Sequence, residues 1–148
     1  MLGHIRAIAE KTNLPVRVIR RDLISRCGPL GGIYTALKTT RADAVLFLAC
    51  DMPFLSEKLL ADLLKRFTQK SEAMFVHDGE TAGFPFLLRL SAFATVEKQL
   101  AAQEFSIQKL AGACGAKMFP ARARKEELFN LNTPADWDKA RQVFQKKS

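Results

Sequence analysis

At 148 residues, with 48% apolar and 26% charged side chains, the chain suits one domain with one sizeable core and has the balance of an ordinary globular protein. No apolar run approaches the ~18 residues that a membrane span needs, and the start, Met1-Leu2-Gly3-His4-Ile5-Arg6, has no long apolar core, so neither a spanning helix nor a secretory leader is expected. The net charge of +8 favours anionic partners such as nucleotides and phosphates; nucleic acid is not expected, because no basic stripe interleaved with aromatics is present.

Ile5, Ile8 and Ala9 fall at helical spacing, so residues 2–11 read as a helix, broken by Asn13-Leu14-Pro15. Val16-Arg17-Val18-Ile19 reads as a short β-branched strand. A polar loop leads to Gly28-Pro29-Leu30-Gly31-Gly32, and a helix is expected from Ile33 to Thr39. Residues 44–49 form a continuous apolar run, the pattern of a strand buried on both faces. Ser56 is placed to cap a helix over 57–69, with Leu59, Leu60, Leu63, Leu64 and Phe67 toward the core and Lys58, Lys65 and Arg66 toward solvent.

Glu72 to His77 reads as a strand ending at the turn pair Asp78-Gly79. Phe84 to Leu88 is a second apolar strand, which Pro85 assigns to an edge or a strand start. Ser91 is expected to cap a helix through about residue 102, and Ile107 to Ala111 a shorter helix ended by Gly112. Ala116 to Phe119 is a short strand, followed by a charged loop and an extended stretch, Leu128 to Asn132. Thr133-Pro134-Ala135-Asp136 then opens a last helix, with Thr at the cap, Pro at the first position and an acid at the third. Strands alternating with helices predict an α/β fold: a mostly parallel sheet with helices on both faces, in one domain over 1–148.

Four clusters carry candidate chemistry. Asp51, in Cys50-Asp51-Met52-Pro53, follows the buried strand, where open α/β sheets place their ligands. A carboxylate there can hold Mg²⁺, which uses one or two carboxylates plus substrate phosphates; an Asp that starts a turn explains the spacing equally well. Gly28 to Gly32 is a glycine-rich turn into a helix, able to bring backbone N–H groups to an anion, though a Gly-Pro turn with a helix cap is the commoner meaning. Asn130 and Asn132 place two amides on one side of an extended segment, toward a single partner. Asp78, in His77-Asp78-Gly79-Glu80, stands at another strand end and is a candidate to assist a metal or a substrate amine. Cys27, Cys50 and Cys114 are odd in number and far apart, which suits reduced thiols better than a disulfide framework or a zinc site, with Cys50 packed at its strand end.

In order, Asp22, Gly28-Pro29-Leu30-Gly31-Gly32, Cys50-Asp51-Met52-Pro53, His77-Asp78-Gly79-Glu80 and Asn130-Leu131-Asn132-Thr133-Pro134 closely resemble the molybdenum cofactor guanylyltransferase family, over the chain to about residue 140. The resemblance implies a Rossmann-like nucleotidyltransferase that joins GMP from GTP to the phosphate of molybdopterin and releases pyrophosphate, while the reduced thiols lead one to expect a cytoplasmic protein. It implies Asp51 on Mg²⁺, with Asp22, Gly28, Pro29, Leu30 and Gly32 lining the guanine nucleotide pocket. Asn130 and Asn132 would contact the pterin substrate or close the site, with Asp78 a further substrate contact. Molybdenum cofactor carrier or acceptor proteins are implied partners.

The chain departs from that pattern in three places. Family members open with a strand and a Gly-Gly loop whose Arg and Lys cradle the triphosphate; this chain begins at what resembles the following helix, about 30 residues later by the size of such units. A family Asn-bearing segment before Asp22 is shortened, and Phe105 and Ser106 stand where the family has an Arg. Weak activity is the expectation for the chain as it stands. A non-catalytic relative and a cytidylyl or sugar-nucleotide transferase are the alternative readings.

Overall fold

The computed structural model describes residues 2–17 and 19–147, without the side chains of residues 2–5, 8, 146 and 147. The helix expected at the start is α1, Leu2–Thr12; Ile5 and Ile8 of its apolar spacing lie outside the described side chains, while Ala9 is buried. The remaining elements, in order, are α2 (Pro29–Thr39), β1 (Ala44–Phe47), α3 (Glu57–Arg66), β2 (Ala73–His77), β3 (Ala82–Arg89), α4 (Phe93–Ala101), α5 (Ile107–Ala113), β4 (Lys117–Pro120) and α6 (Pro134–Lys147). A 3₁₀ turn occupies Leu90–Ala92, and two 3₁₀ turns that meet at a kink at Arg124 occupy Arg122–Leu128.

The four strands make one sheet in the order β1-β3-β2-β4. β3 runs antiparallel to both neighbours and β2 pairs β4 in parallel, so β1, β2 and β4 point the same way and end at the same edge of the sheet. The pleat sends alternate side chains to opposite faces. Ala73, Phe75, Phe86 and Leu88 meet Leu30, Ile33 and Leu37 of α2, Val96 of α4 and Leu110 of α5 on one face. Met74, Val76, Leu87 and Phe119 meet Leu59, Leu60 and Leu63 of α3 on the other. The α/β layout with helices on both faces is therefore present. The three α3 leucines are completely buried, each worth roughly 1.5–3 kcal/mol by area removed from water, and Ser56 caps that helix by accepting the Leu59 N–H.

Several local expectations are corrected. Val16, Arg17 and Ile19 belong to no strand, with Val16 49% and Ile19 39% exposed; Val18, in the middle of the expected strand, lies outside the described residues. An isolated β-branched run has no ladder without a partner, and among the described residues β1 pairs with β3 alone. For the same reason β1 is half-buried along its length rather than covered on both faces. Pro85 sits inside a central strand, not an edge. The register jumps from Phe75 opposite Phe86 to Val76 opposite Gly83, leaving Phe84 and Pro85 without partners in β2, and β1 pairing stops at Phe86. A proline that cannot donate to a ladder is accommodated by such a bulge. Ser91 falls in the 3₁₀ turn before α4 and does not cap it. α5 continues past Gly112 to Ala113 and stops before Gly115, at φ +55°. Part of the expected charged loop is 3₁₀-helical, and Cys50 is exposed instead of packed.

Candidate functional site

The chain leaves β1 at Phe47, turns at Cys50-Asp51, and is pinned on the α3 side of the core by buried Met52 and Leu55 before Ser56 starts α3. The Asp51 carbonyl accepts the Leu131 N–H at 2.8 Å, which ties this turn to the stretch carrying Asn130 and Asn132. Asp51 Oδ1 is buried and has no hydrogen-bond partner among the described residues. A carboxylate oxygen only accepts when ionised, and burying one unpaired is costly. An unpaired buried acceptor of this kind fits a cation-binding role. Among the described residues no group of three His, Cys, Asp or Glu side chains converges as a metal cage.

The glycine-rich turn builds the second part. Gly28 caps α2 at φ 53°, ψ −144°, a backbone state that side chains disfavour, and Pro29 occupies the first turn. The loop before it folds back over the helix: the Leu23 N–H donates to Thr35 Oγ1 at 2.8 Å, and the Thr35 hydroxyl donates to the Gly31 carbonyl at 2.8 Å. A Cβ on Gly31 would stand 3.1 Å from the Ile24 carbonyl and 3.5 Å from Asp22 Oδ2, and one on Gly32 would stand 3.7 Å from Asp22 Oδ1. Asp22 thus lies across the first turns of α2, where the helix dipole favours a negative charge. Gly28 and Pro29 are exposed, whereas Leu30 is completely buried, so its side chain anchors the turn and only its backbone is left for a ligand.

The third part lies at the end of β2 and the start of β3. A cavity of about 170 Å³ is lined by Val76, Asp78, Thr81, Gly83, Phe84, Ile107, Leu128 and Asn130. Asp78 Oδ1 accepts the Glu80 and Thr81 N–H groups, both at 2.8 Å, and these two bonds hold its carboxyl below the ordinary range. Asn132 does not line this cavity. Its N–H donates to Asp136 Oδ2 at 3.1 Å, alongside the Thr133 N–H and hydroxyl, while the Thr133 hydroxyl oxygen accepts the Asp136 N–H. Asn132 therefore belongs by its backbone to a capping box at the start of α6.

A cluster that pattern reading missed joins these parts. Arg124 donates to Glu127 at 2.6 and 3.1 Å, to Asp62 at 3.0 Å and to Ser56 at 3.2 Å, and the Ser56 hydroxyl also donates to Glu127. The paired carboxylates favour the charged guanidinium, and Arg124 and Ser56 together hold the Glu127 carboxyl below its usual range against the opposing effect of burial. In sequence, Arg122-Ala123-Arg124-Lys125-Glu126-Glu127 has no apolar period and looks like a solvated loop; only the i, i+3 spacing of Arg124 and Glu127 hints at a helical pair.

The arrangement offers an unpaired carboxylate oxygen, an acceptor beside a helix start, and a small half-apolar cavity with amide and carboxylate groups. No helix among the described residues is long and apolar enough to cross a membrane. A protein of Carboxydothermus hydrogenoformans named "Probable molybdenum cofactor guanylyltransferase" is 30% identical over 89% of this chain and 68% of its own length. The molybdenum cofactor guanylyltransferase of Pseudomonas entomophila is 33% identical over 72% of this chain and 57% of its own. This chain thus spans roughly two thirds or less of these relatives. In three dimensions it superposes on the molybdopterin-guanine dinucleotide biosynthesis protein A of Archaeoglobus fulgidus with a TM-score of 0.68 at 17% identity, over 99% of this chain and 76% of that one, a likeness of fold. The family model described as "MobA-like NTP transferase domain" matches residues 3–116, and the chain belongs to that family.

Proposed function

We propose that this chain forms the larger part of a Mg²⁺-dependent nucleotidyltransferase of molybdenum cofactor biosynthesis, which transfers GMP from GTP to the phosphate of molybdopterin and releases pyrophosphate. The observation that carries the reading is the buried, unpaired Oδ1 of Asp51 beyond the carboxyl end of β1. Asp51 would hold Mg²⁺, which when bound supplies positive charge against the nucleotide phosphates. The acceptor phosphate is already an anion, so the protein needs no strong base; its work is to position two anions and offset their repulsion. Asp22, an acceptor without donors, complements the adjacent N1–H and 2-amino donors of guanine, whereas cytosine offers only its 4-amino group. Asp78 and Asn130 would read the polar edge of the pterin while Phe84, Ile107 and Leu128 cover its face.

Equilibrium binding of GTP and CTP, each with and without Mg²⁺, tests this. GTP is expected to bind at least about tenfold more tightly than CTP, the scale of one unmatched polar edge, and Asp51→Asn to abolish the Mg²⁺ dependence. A clear preference for CTP overturns the choice of base, and a Mg²⁺ dependence that survives Asp51→Asn overturns the role of Asp51. One observation favours a second reading, a relative that binds nucleotide without turnover: among the described residues β1 is an edge strand, so one flank of the Asp51 turn has no neighbouring strand. Mg²⁺-dependent GTP binding without pyrophosphate release in the presence of molybdopterin would establish it.

A further inference from the structure

The stretch 122–131, whose two 3₁₀ turns meet at a kink at Arg124, contacts each part of the proposed site other than the α2 turn. At one end the Arg122 side chain lies across Gly79, where an added Cβ would meet its Cγ and Cδ at 3.2 Å, and Lys125 pairs with Glu80 at 3.1 Å. These contacts hold the turn that carries Asp78. In the middle, Arg124 and Glu127 grip Ser56, the cap of α3, and Arg124 also holds Asp62 within that helix, five residues and more beyond Asp51. At the far end the segment delivers Leu128 and Asn130 into the cavity, and the Leu131 N–H reaches the Asp51 carbonyl. Arg124 has three separate partners and a side chain only 21% exposed, whereas the Lys125 pair is more than half exposed on both sides and contributes little.

We infer that Arg124 is a positioning residue: through Glu127, Ser56 and Asp62 it fixes the Arg122–Leu128 segment as a strap that sets Asn130 and Asp78 at their distance from Asp51, and so tunes binding of the acceptor substrate without touching it. The inference rests on the proposed function, in which the cavity between Asp78 and Asn130 takes the pterin. Glu127 is the second half of the same device, since its carboxylate joins the guanidinium to the α3 cap. Loss of the clamp frees the strap while the Gly28–Gly32 turn, which shares no bond with it, keeps its nucleotide-facing geometry.

The test uses the 148-residue chain, Mg²⁺ with GTP as one probe and a fluorescent pterin monophosphate as the other. Arg124→Gln is expected to weaken pterin monophosphate at least tenfold and to leave Mg²⁺-dependent GTP binding within twofold. It should also speed amide hydrogen exchange at Leu131 at least tenfold, with Phe86 in the sheet unchanged. Glu127→Gln should reproduce the effect, and the double variant should lose no more than the worse single one, since both act through one clamp. If Arg124→Gln fails to fold, Asp62→Ala, which removes one bond of the clamp, should weaken the pterin probe about threefold. Equal weakening of both probes, no weakening of either, or uniform acceleration of exchange overturns the positioning role. A wild-type chain that binds Mg²⁺ and GTP but no pterin monophosphate overturns the pterin reading itself, and the inference with it.

Discussion

Asp51 illustrates a residue that stability alone would not select. Its Oδ1 is buried with no donor among the described residues, so the ligand-free fold carries an uncompensated acceptor, a cost of about 1–3 kcal/mol for a buried unsatisfied group. Replacing it by Asn keeps the shape and removes the charge. In the absence of ligand, Asp51→Asn is expected to stabilise the chain by about 1 kcal/mol, read as a rise of about 2–4 °C in thermal midpoint. With Mg²⁺ and GTP at about 100 times their dissociation constant the order reverses, because the wild type gains about 2.7 kcal/mol from binding and the variant does not. A variant already less stable without ligand would show that Oδ1 has a structural partner and would remove the argument for a cation. From sequence, Asp51 was legible as a position but not as a role: the apolar run and the Pro locate it, and only the absence of a donor around Oδ1 separates a metal ligand from a turn residue.

Elements were most legible where one local signal decides them. Ser56 and Ser106 accept the Leu59 and Lys109 N–H groups, as caps placed before an apolar period should, although only Ser56 is evident before the structure is known. At α6 the Thr-Pro-x-Asp signature closes into a full capping box, with Asp136 taking three donors. Elements decided by their neighbours were not legible. Residues 16–19 have the composition of a strand but no ladder, and Pro85 looks like an edge until the bulge that accommodates it is seen. The α6 cap has a pH dependence with a definite sign. Hydrogen bonds from Thr133 and Asn132 depress the Asp136 carboxyl below its ordinary value, so the folded state favours the carboxylate. Its contribution is complete above the unfolded value of about 3.9 and is lost as pH falls through the depressed value. Amide exchange in the first turn of α6 is expected to accelerate below about pH 4 in the wild type relative to Asp136→Asn, which lacks the transition. Identical acid profiles for the two would show that the carboxylate does not hold the cap.

At the scale of the whole molecule, the sequence predicts a strand at 44–49 covered on both faces, and the structure puts that strand at the margin of the sheet. The discrepancy is physical: burial on both faces depends on what lies beside a strand, which its own residues do not encode. The result is a half-exposed apolar edge, Ala44–Phe47, in a chain that also exposes Val16, Ile19 and Leu23. Unpaired edges of this kind template association. The net charge of +8 opposes it, since like-charged copies repel at long range. The Debye length falls from about 10 Å at 0.1 M salt to about 3 Å at 1 M, so screening should remove the repulsion and leave the apolar attraction. Sedimentation velocity is therefore expected to show self-association that grows with protein concentration and with salt. The double variant Val16→Lys, Ile19→Lys adds charge at exposed positions and should reduce that association, with thermal stability changed by no more than about 0.5 kcal/mol. Association that weakens as salt rises would mean that charge pairs hold the copies together, and a monomer at every concentration and salt would mean that the edge of β1 is protected.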